Sequence, residues 1–514
     1  MCSSRAPGPT PTTMYAPDTT AGGSSSCPRS GDDGAPLSGR PGRAGVMIHV
    51  EVARAMTTAL PASFADLPLL QGRNPLARRI ETRHGFPILP GRFPVVGHMP
   101  AIAVDELGLL REGQRRFGSL FFWAPGVDAW QLIYASNEAF SLFKSKAVDS
   151  SYLTEGGVGH LFGQTLMAHD GASHRRLRTA MNGPFSPKGL DAAEVGAIVA
   201  TSVERKVRSW LGRRDVQLLR ETRELALEVM FKITGVEDDE LPEWRHYYED
   251  LMLVILSLPF DVPGSPRRRG LRARAWLDER IGRILAGVRA RGDAKGLLPA
   301  LLTARDEQGE PLSEQDLVGN LRLLLLAGHE TSASVMAWCV AHLAESPAVW
   351  RALREEASSA PDLPRSPADL RRFPFAEAVF REALRLHPPV PHDARRAVAD
   401  FELDGRAVPA GTHVAIPLVL LSRDPELYPD PDSYRPERWL GRKEALSPLE
   451  IAQFGGGAHF CLGYHLAWME IVQFLVALGR ELPASGPRLQ GGFPASRYLP
   501  VLRPSGGTRV RFDG

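Results

Sequence analysis

The stretch from Ser313 to Glu345 constrains this chain more than any other. "SEQD" opens it as a capping box, with Ser313 as N-cap and Asp316 at the third position. Apolar residues then recur at helical spacing as far as Glu345, before Ser346-Pro347. That is about 32 residues, or roughly 48 Å at 1.5 Å per residue, a rod long enough to cross a whole globular molecule. Its middle, "LLLLAGHETSAS" (323–334), departs from the pattern. Gly328 costs a helix about 1 kcal/mol relative to Ala, and Glu330 and Thr331 interrupt an apolar run. Two readings are open. One is a kink with a solvated Glu and a Thr bonded back to its own turn. The other is a ligand lying against the gap at Gly328, beside an acid–hydroxyl pair able to relay protons.

Composition narrows the class. Of 514 residues, 43% are hydrophobic and 23% charged, the balance of a soluble globular protein. A formal charge of +2 argues against a nucleic-acid binder. The four cysteines, Cys2, Cys27, Cys339 and Cys461, form no C-x-x-C, so neither a disulfide framework nor a structural zinc site is expected. No run of 18 uninterrupted apolar residues and no basic-then-apolar leader is present, so the expectation is a cytoplasmic protein without a transmembrane anchor. Residues 1–46 are rich in Gly, Ser, Pro and Thr. They bury too little to offset their ordering entropy and are expected to form a disordered tail.

"GFPILPGRFPVVGHMP" (85–100) reads as a Pro/Gly-braced extended entry, and from about residue 102 the pattern is mostly helical. "ADLRRFPFAEAVFREALRLHPP" is amphipathic and stopped by Pro388 and Pro389, whereas "FELDGRAVPAGTHVAIPLVLL" has the short runs and turns of a small sheet. The expected fold is mainly α with small β-sheets, one body over residues 80–514, with the long helix at its centre. "GGVGHLFG" (156–163) has dinucleotide-like glycines, but no strand precedes it. No Walker sequence or G-x-S-x-G elbow occurs.

"FGGGAHFCLG" (454–463) sets Cys461 behind three glycines, with His459 before it and Gly463 after. A lone Cys is usually a small buried hydrophobe, and dense glycines are usually a loop. "EALR" (382–385) is a commonplace i,i+3 pair, and "PDSYRPERWL" places Glu437-Arg438 after two prolines. Each is uninformative alone.

Together they resemble the cytochrome P-450 monooxygenases. The loop is similar to that family's heme-binding sequence at Phe454, Gly457, His459, Cys461 and Gly463. AGHETS resembles its oxygen-activating helix, EALR its Glu-x-x-Arg helix, PERW its meander, and "HRRLR" (174–178) its heme-facing His-x-x-x-Arg. The resemblance implies heme b (iron protoporphyrin IX) with Cys461 as the axial iron ligand, a thiolate that favours O–O cleavage, and Phe454 packed near it. It implies that His174, Arg178, Arg395 and His459 hold the propionates, with Arg395 chosen over Arg396 by its spacing to Asp400. It makes Glu382, Arg385 and Arg438 a buried structural triad, and Glu330 and Thr331 the proton-delivering pair. Cys339 is read as core.

The implied activity is insertion of one atom of O2 into a lipophilic molecule. Electrons from NAD(P)H would come through a separate ferredoxin or flavodoxin-type donor, because only about 50 residues follow the loop. A heme isomerase or peroxygenase, or a non-catalytic heme sensor, would not need the Glu330-Thr331 pair. "PGSPRRRGLRAR" (263–274) resembles the segment over the substrate entrance in the branch oxidising retinoids, sterols and other isoprenoids, although composition alone suits a surface helix–loop–helix. A terpenoid, steroid or retinoid-like substrate is the corresponding expectation.

Overall fold

The computed structural model describes residues 81–513 except 95, 127–128, 152–164, 256–261, 293–295, 443 and 499–500. The tail expected over 1–46 and the glycines of "GGVGHLFG" lie outside the described residues.

The long helix forms with the bounds its sequence suggests, Glu314–Glu345, and both bonds of the Ser313/Asp316 capping box are made. It is long and apolar enough to cross a membrane by length and composition. Here that apolarity is spent inside the fold. Every residue from Ser332 to Leu343 is buried, as a helix that is apolar all round must be.

In chain order the helices used below are α1 (Met99–Phe117), α2 (Gly171–Phe185), α3 (Val195–Arg208), α4 (Leu218–Ile233), α5 (Leu241–Ile255), α6 (Pro266–Arg291), the long α7 (Glu314–Glu345), α8 (Pro347–Ser358), α9 (Pro374–Leu386) and α10 (Tyr464–Glu481). α4, α6, α9 and α10 all pack on α7. Their apolar stripes join one core in which Leu225, Val229, Met336, Trp338, Val379 and Phe474 are buried.

The chain is mostly helical after residue 102, as read, with one early β segment that the pattern did not mark. Leu120–Gly126 and Ala129–Tyr134 are strands. "LFFWAPG" and "AWQLIY" are rich in the aromatic and β-branched residues that favour strands. Both are nearly buried, so they lack the alternation that would have marked them. The strands are β1 (Thr82–Arg83), β2 (Phe86–Pro87), β3 (Leu120–Gly126), β4 (Ala129–Tyr134), β5 (Val148–Asp149), β6 (Val216–Gln217), β7 (Asp393–Ala397), β8 (Phe401–Leu403), β9 (Arg406–Val408), β10 (His413–Ile416), β11 (Arg488–Leu489), β12 (Ser496–Arg497), β13 (Arg503–Pro504) and β14 (Arg509–Arg511). The main sheet runs β3-β4-β10-β7-β5, with only β4 and β10 parallel. A second sheet runs β11-β14-β6, and β8 and β9 form a hairpin at Asp404-Gly405.

Two smaller boundaries also shift. Leu418–Leu421, read with the small sheet, is a helical turn after Pro417. The amphipathic helix begins only at Pro374, after a short 3-10 turn at Asp369–Arg372. Proline is tolerated in a helix's first turn, where its missing N–H has no intrahelical partner to lose.

Candidate active site

The cysteine loop is shaped by its backbone. The Cys461 N–H donates to the Phe454 carbonyl at 2.8 Å, closing the loop on itself. Gly457 sits at φ +61°, where a side chain is strained, and a Cβ there would overlap the Phe143 carbonyl. A Cβ on Gly456 would lie 2.7 Å from the Phe143 ring. Phe143, on the 3-10 helix Asn137–Lys144, is therefore the floor of the loop. Gly463 is the N-cap of α10, so the Cys461 sulfur lies at a helix N-terminus. Burial pushes the Cys461 thiol up, while the Gly463 N–H and the Arg178 guanidinium favour the thiolate. Phe454 packs edge-on against Tyr464 at 4.7 Å.

Four more of the expected residues gather around this loop. Arg178, one helical turn from His174 on α2, donates Nη1 to the Phe460 carbonyl at 2.5 Å. His174 is buried with its Nε2 unpaired among the described residues, and its ring is 4.2 Å from that of His459. Burial, with the neighbouring His459 and Arg178, holds His174 neutral, its pKa lowered to about 4. His459 Nε2 lies 2.9 Å from Asp170 Oδ1, a carboxylate to which no sequence motif pointed.

Arg395 and Arg396 are neighbours on β7, so they face opposite sides of the sheet. Arg395 is buried, with its guanidinium 5.1 Å from the centroid of the Phe143 ring and bonded to Asp393. Arg396 instead reaches Ser151 and lines a separate cavity of about 470 Å³ with Arg83 and His84. The structure thus puts Arg395, and not Arg396, beside the cysteine loop. Asp400 accepts the Ala410 N–H in the adjoining turn.

The triad forms as a saturated ion cluster. Glu382 is fully buried and accepts from Arg385 at 2.8 and 3.0 Å, from Arg438 Nε at 3.0 Å and from Trp439 Nε1 at 2.9 Å. The remaining Arg385 donors bond the carbonyls of Ser422, Pro431 and Ser433. Burying ions is costly unless every donor and acceptor is met, and here the cluster pins α9 to the chain before the loop.

The centre of α7 differs from the reading of a ligand against Gly328. A Cβ there would lie 2.5 Å from Met230 Sδ, so the gap is filled by α4. Glu330 is buried and ion-paired to Arg223 on α4 at 2.7 Å, not solvated. Thr331 Oγ1 donates to the Ala327 carbonyl at 2.7 Å. Leu324, Ala327 and Thr331, at i, i+3 and i+7, form a stripe that is not fully buried on a helix otherwise mostly covered.

Behind Thr331, Ser332 meets Glu470 of α10, whose carboxyl is 1% exposed and pushed up to about 8 by burial. Arg223, Met230 and Glu470 lie far from the motifs in sequence and carry no signal of their own. Cys339 is fully buried, as read.

The cytochrome P450 family profile matches residues 87–481. The chain is 42% identical over 443 residues to cytochrome P450 BJ-4 of Bradyrhizobium diazoefficiens, covering 86% of this chain and 99% of that one. It is 30% identical over 435 residues to cyclooctatin synthase of Streptomyces melanosporofaciens, covering 80% and 94%. The solved structure of retinoic-acid-bound cyanobacterial CYP120A1 aligns with a TM-score of 0.72 at 24% identity, over 83% of this chain and 99% of that one. The chain belongs to the cytochrome P450 family of heme-thiolate monooxygenases, oxidoreductases that use heme iron. Its residues fit the group: a sulfur facing a helix N-terminus and a guanidinium, and an unpaired buried imidazole nitrogen among basic side chains suited to acidic substituents.

Proposed function

We propose that this chain hydroxylates a bulky isoprenoid, a terpenoid, steroid or retinoid-like molecule, with electrons delivered from NAD(P)H by a separate ferredoxin or flavodoxin-type partner. Bound heme supplies the O2 activation by which one oxygen atom enters substrate and the other leaves as water. In this reading Cys461 would hold the heme iron as a thiolate, the form that the Gly463 N–H and Arg178 favour. Arg178, Arg395, His174 and His459 hold the propionates through charge-assisted hydrogen bonds. Thr331 passes protons at its Oγ1, and Glu330, paired with Arg223 on α4, resupplies them.

One observation carries the reading: the partly open stripe on α7 is apolar at Leu324 and Ala327 and ends in the Thr331 hydroxyl. Such a face binds hydrocarbon, at about 25 cal/mol per Å² buried, and sets it beside a proton-handling group. The retinoic acid held by the cyanobacterial structural neighbour points to the same substrate class.

The test is turnover of a panel of retinoids, steroids, terpenoids, fatty acids and macrolides with NADPH, a surrogate ferredoxin system and isotopically labelled O2. Label is expected in an isoprenoid product. Turnover with peroxide but never with NADPH would make the protein a peroxygenase, and a response only to fatty acids or macrolides would reject the substrate class.

A further inference from the structure

The sheet β11-β14-β6 carries a charge arrangement unrelated to the site above. Its register sets Leu489 opposite Val510 and Arg488 opposite Arg511. Val510 and Phe512 are fully buried, and Phe512 stacks on Trp210 at 5.3 Å, so the register is locked by the core. Alternation then forces Arg488 and Arg511 outward on the same face, directly across from one another. Like charges in that position destabilise a sheet.

A third guanidinium joins them. The loop before β6 runs along β14, with the Phe512 N–H on the Arg213 carbonyl at 2.8 Å and the Gln490 side-chain amide on the Arg214 carbonyl. Arg214, Arg488, Leu489, Gln490 and Arg511 line a cavity of about 380 Å³. Among the described residues one carboxylate reaches these arginines: Asp513, 3.1 Å from Arg214 and 3.7 Å from Arg511. The Arg488 side chain has no ion pair or hydrogen-bonding partner among them. Nearby Arg509 and Arg213 are already held by Asp215 and Glu221. Among the described residues, three positive charges and one negative charge therefore share this concave site.

We infer that this cavity is a binding site for a small multivalent oxyanion of the phosphate type, free or carried on a soluble metabolite. Planar guanidinium forks match phosphate oxygens two at a time. An anion bridging Arg488 and Arg511 turns the repulsive cross-strand pair into an attractive one, and a recess lined by Arg214, Arg488 and Arg511 from three segments suits a compact soluble anion better than a flat lipid surface.

The test is thermal unfolding of the full-chain holoprotein with inorganic pyrophosphate, against sodium chloride at the same ionic strength. A ligand that binds only the folded state raises the midpoint, and that rise is expected for the wild type. In chloride, Arg488→Gln should melt slightly above the wild type, because the like-charge pair is gone. In pyrophosphate its affinity should fall roughly tenfold or more, as loss of a charge-assisted hydrogen bond implies. Equal midpoint shifts in both proteins, or no wild-type shift beyond chloride, would overturn the site. Sedimentation with phosphatidylglycerol vesicles should leave the protein in the supernatant; pelleting that Arg488→Gln abolishes would overturn the soluble-ligand assignment.

Discussion

The cysteine loop and the centre of the long helix hold their functional groups by opposite means. In the loop the backbone does the positioning. A glycine at positive φ seats the chain against Phe143, and the start of α10 aims an N–H at the sulfur. In the helix the backbone is regular and side chains find partners on other elements: Glu330 with Arg223, Gly328 with Met230, Ser332 with Glu470. A backbone-built site has its requirements written in its own residue types. A partner-built site depends on packing between segments far apart in the sequence.

The largest effect should come from the loop. Cys461→Ala is expected to abolish the far red-shifted Soret band of the reduced CO complex. Gly457→Ala should sharply lower heme content, since its Cβ has no room beside the Phe143 carbonyl. Heme-to-protein ratio and the CO difference spectrum measure both. A Gly457→Ala protein with full heme content would mean that the loop is not backbone-built.

Thr331→Ala should be milder, because the helix loses a hydroxyl and keeps its shape. Heme content and substrate binding are expected to remain, while NADPH consumption uncouples from product and appears as peroxide or excess water. Coupling equal to wild type would remove Thr331 from proton handling and leave its bond to Ala327 a local helix feature.

The smallest effect concerns the contact that joins the two regions. Glu470 is held near a pKa of about 8 by burial, far above its ordinary value of 4.5. The folded protein therefore keeps a proton that the unfolded chain releases, and stability falls as pH rises between those values. Glu470→Gln should remove that slope. Relative to wild type it should gain on the order of a few kcal/mol between pH 5 and pH 8, read from denaturant unfolding at each pH. Parallel stability curves would show that Glu470 is ionised in the fold, with the Ser332 hydroxyl donating to a carboxylate.

The saturated cluster at Glu382 shows why some of this was legible in one dimension. Glu382 and Arg385 are one helical turn apart, so their pairing follows from helix geometry. Arg438 joins them only because the irregular chain folds back. By itself, the sequence determined the long helix and its cap, the amphipathic α9, the hairpin at Asp404-Gly405, and the glycine–cysteine loop. Each rests on local periodicity or on a backbone angle that few residues adopt. The tertiary structure decided what such signals cannot carry. It made strands of the buried aromatic runs at 120–134, filled the notch at Gly328 with Met230, and paired the buried Glu330 with Arg223. It also set Arg488 against Arg511. All four depend on which distant segment lies alongside, and that is fixed by the packing of the whole core.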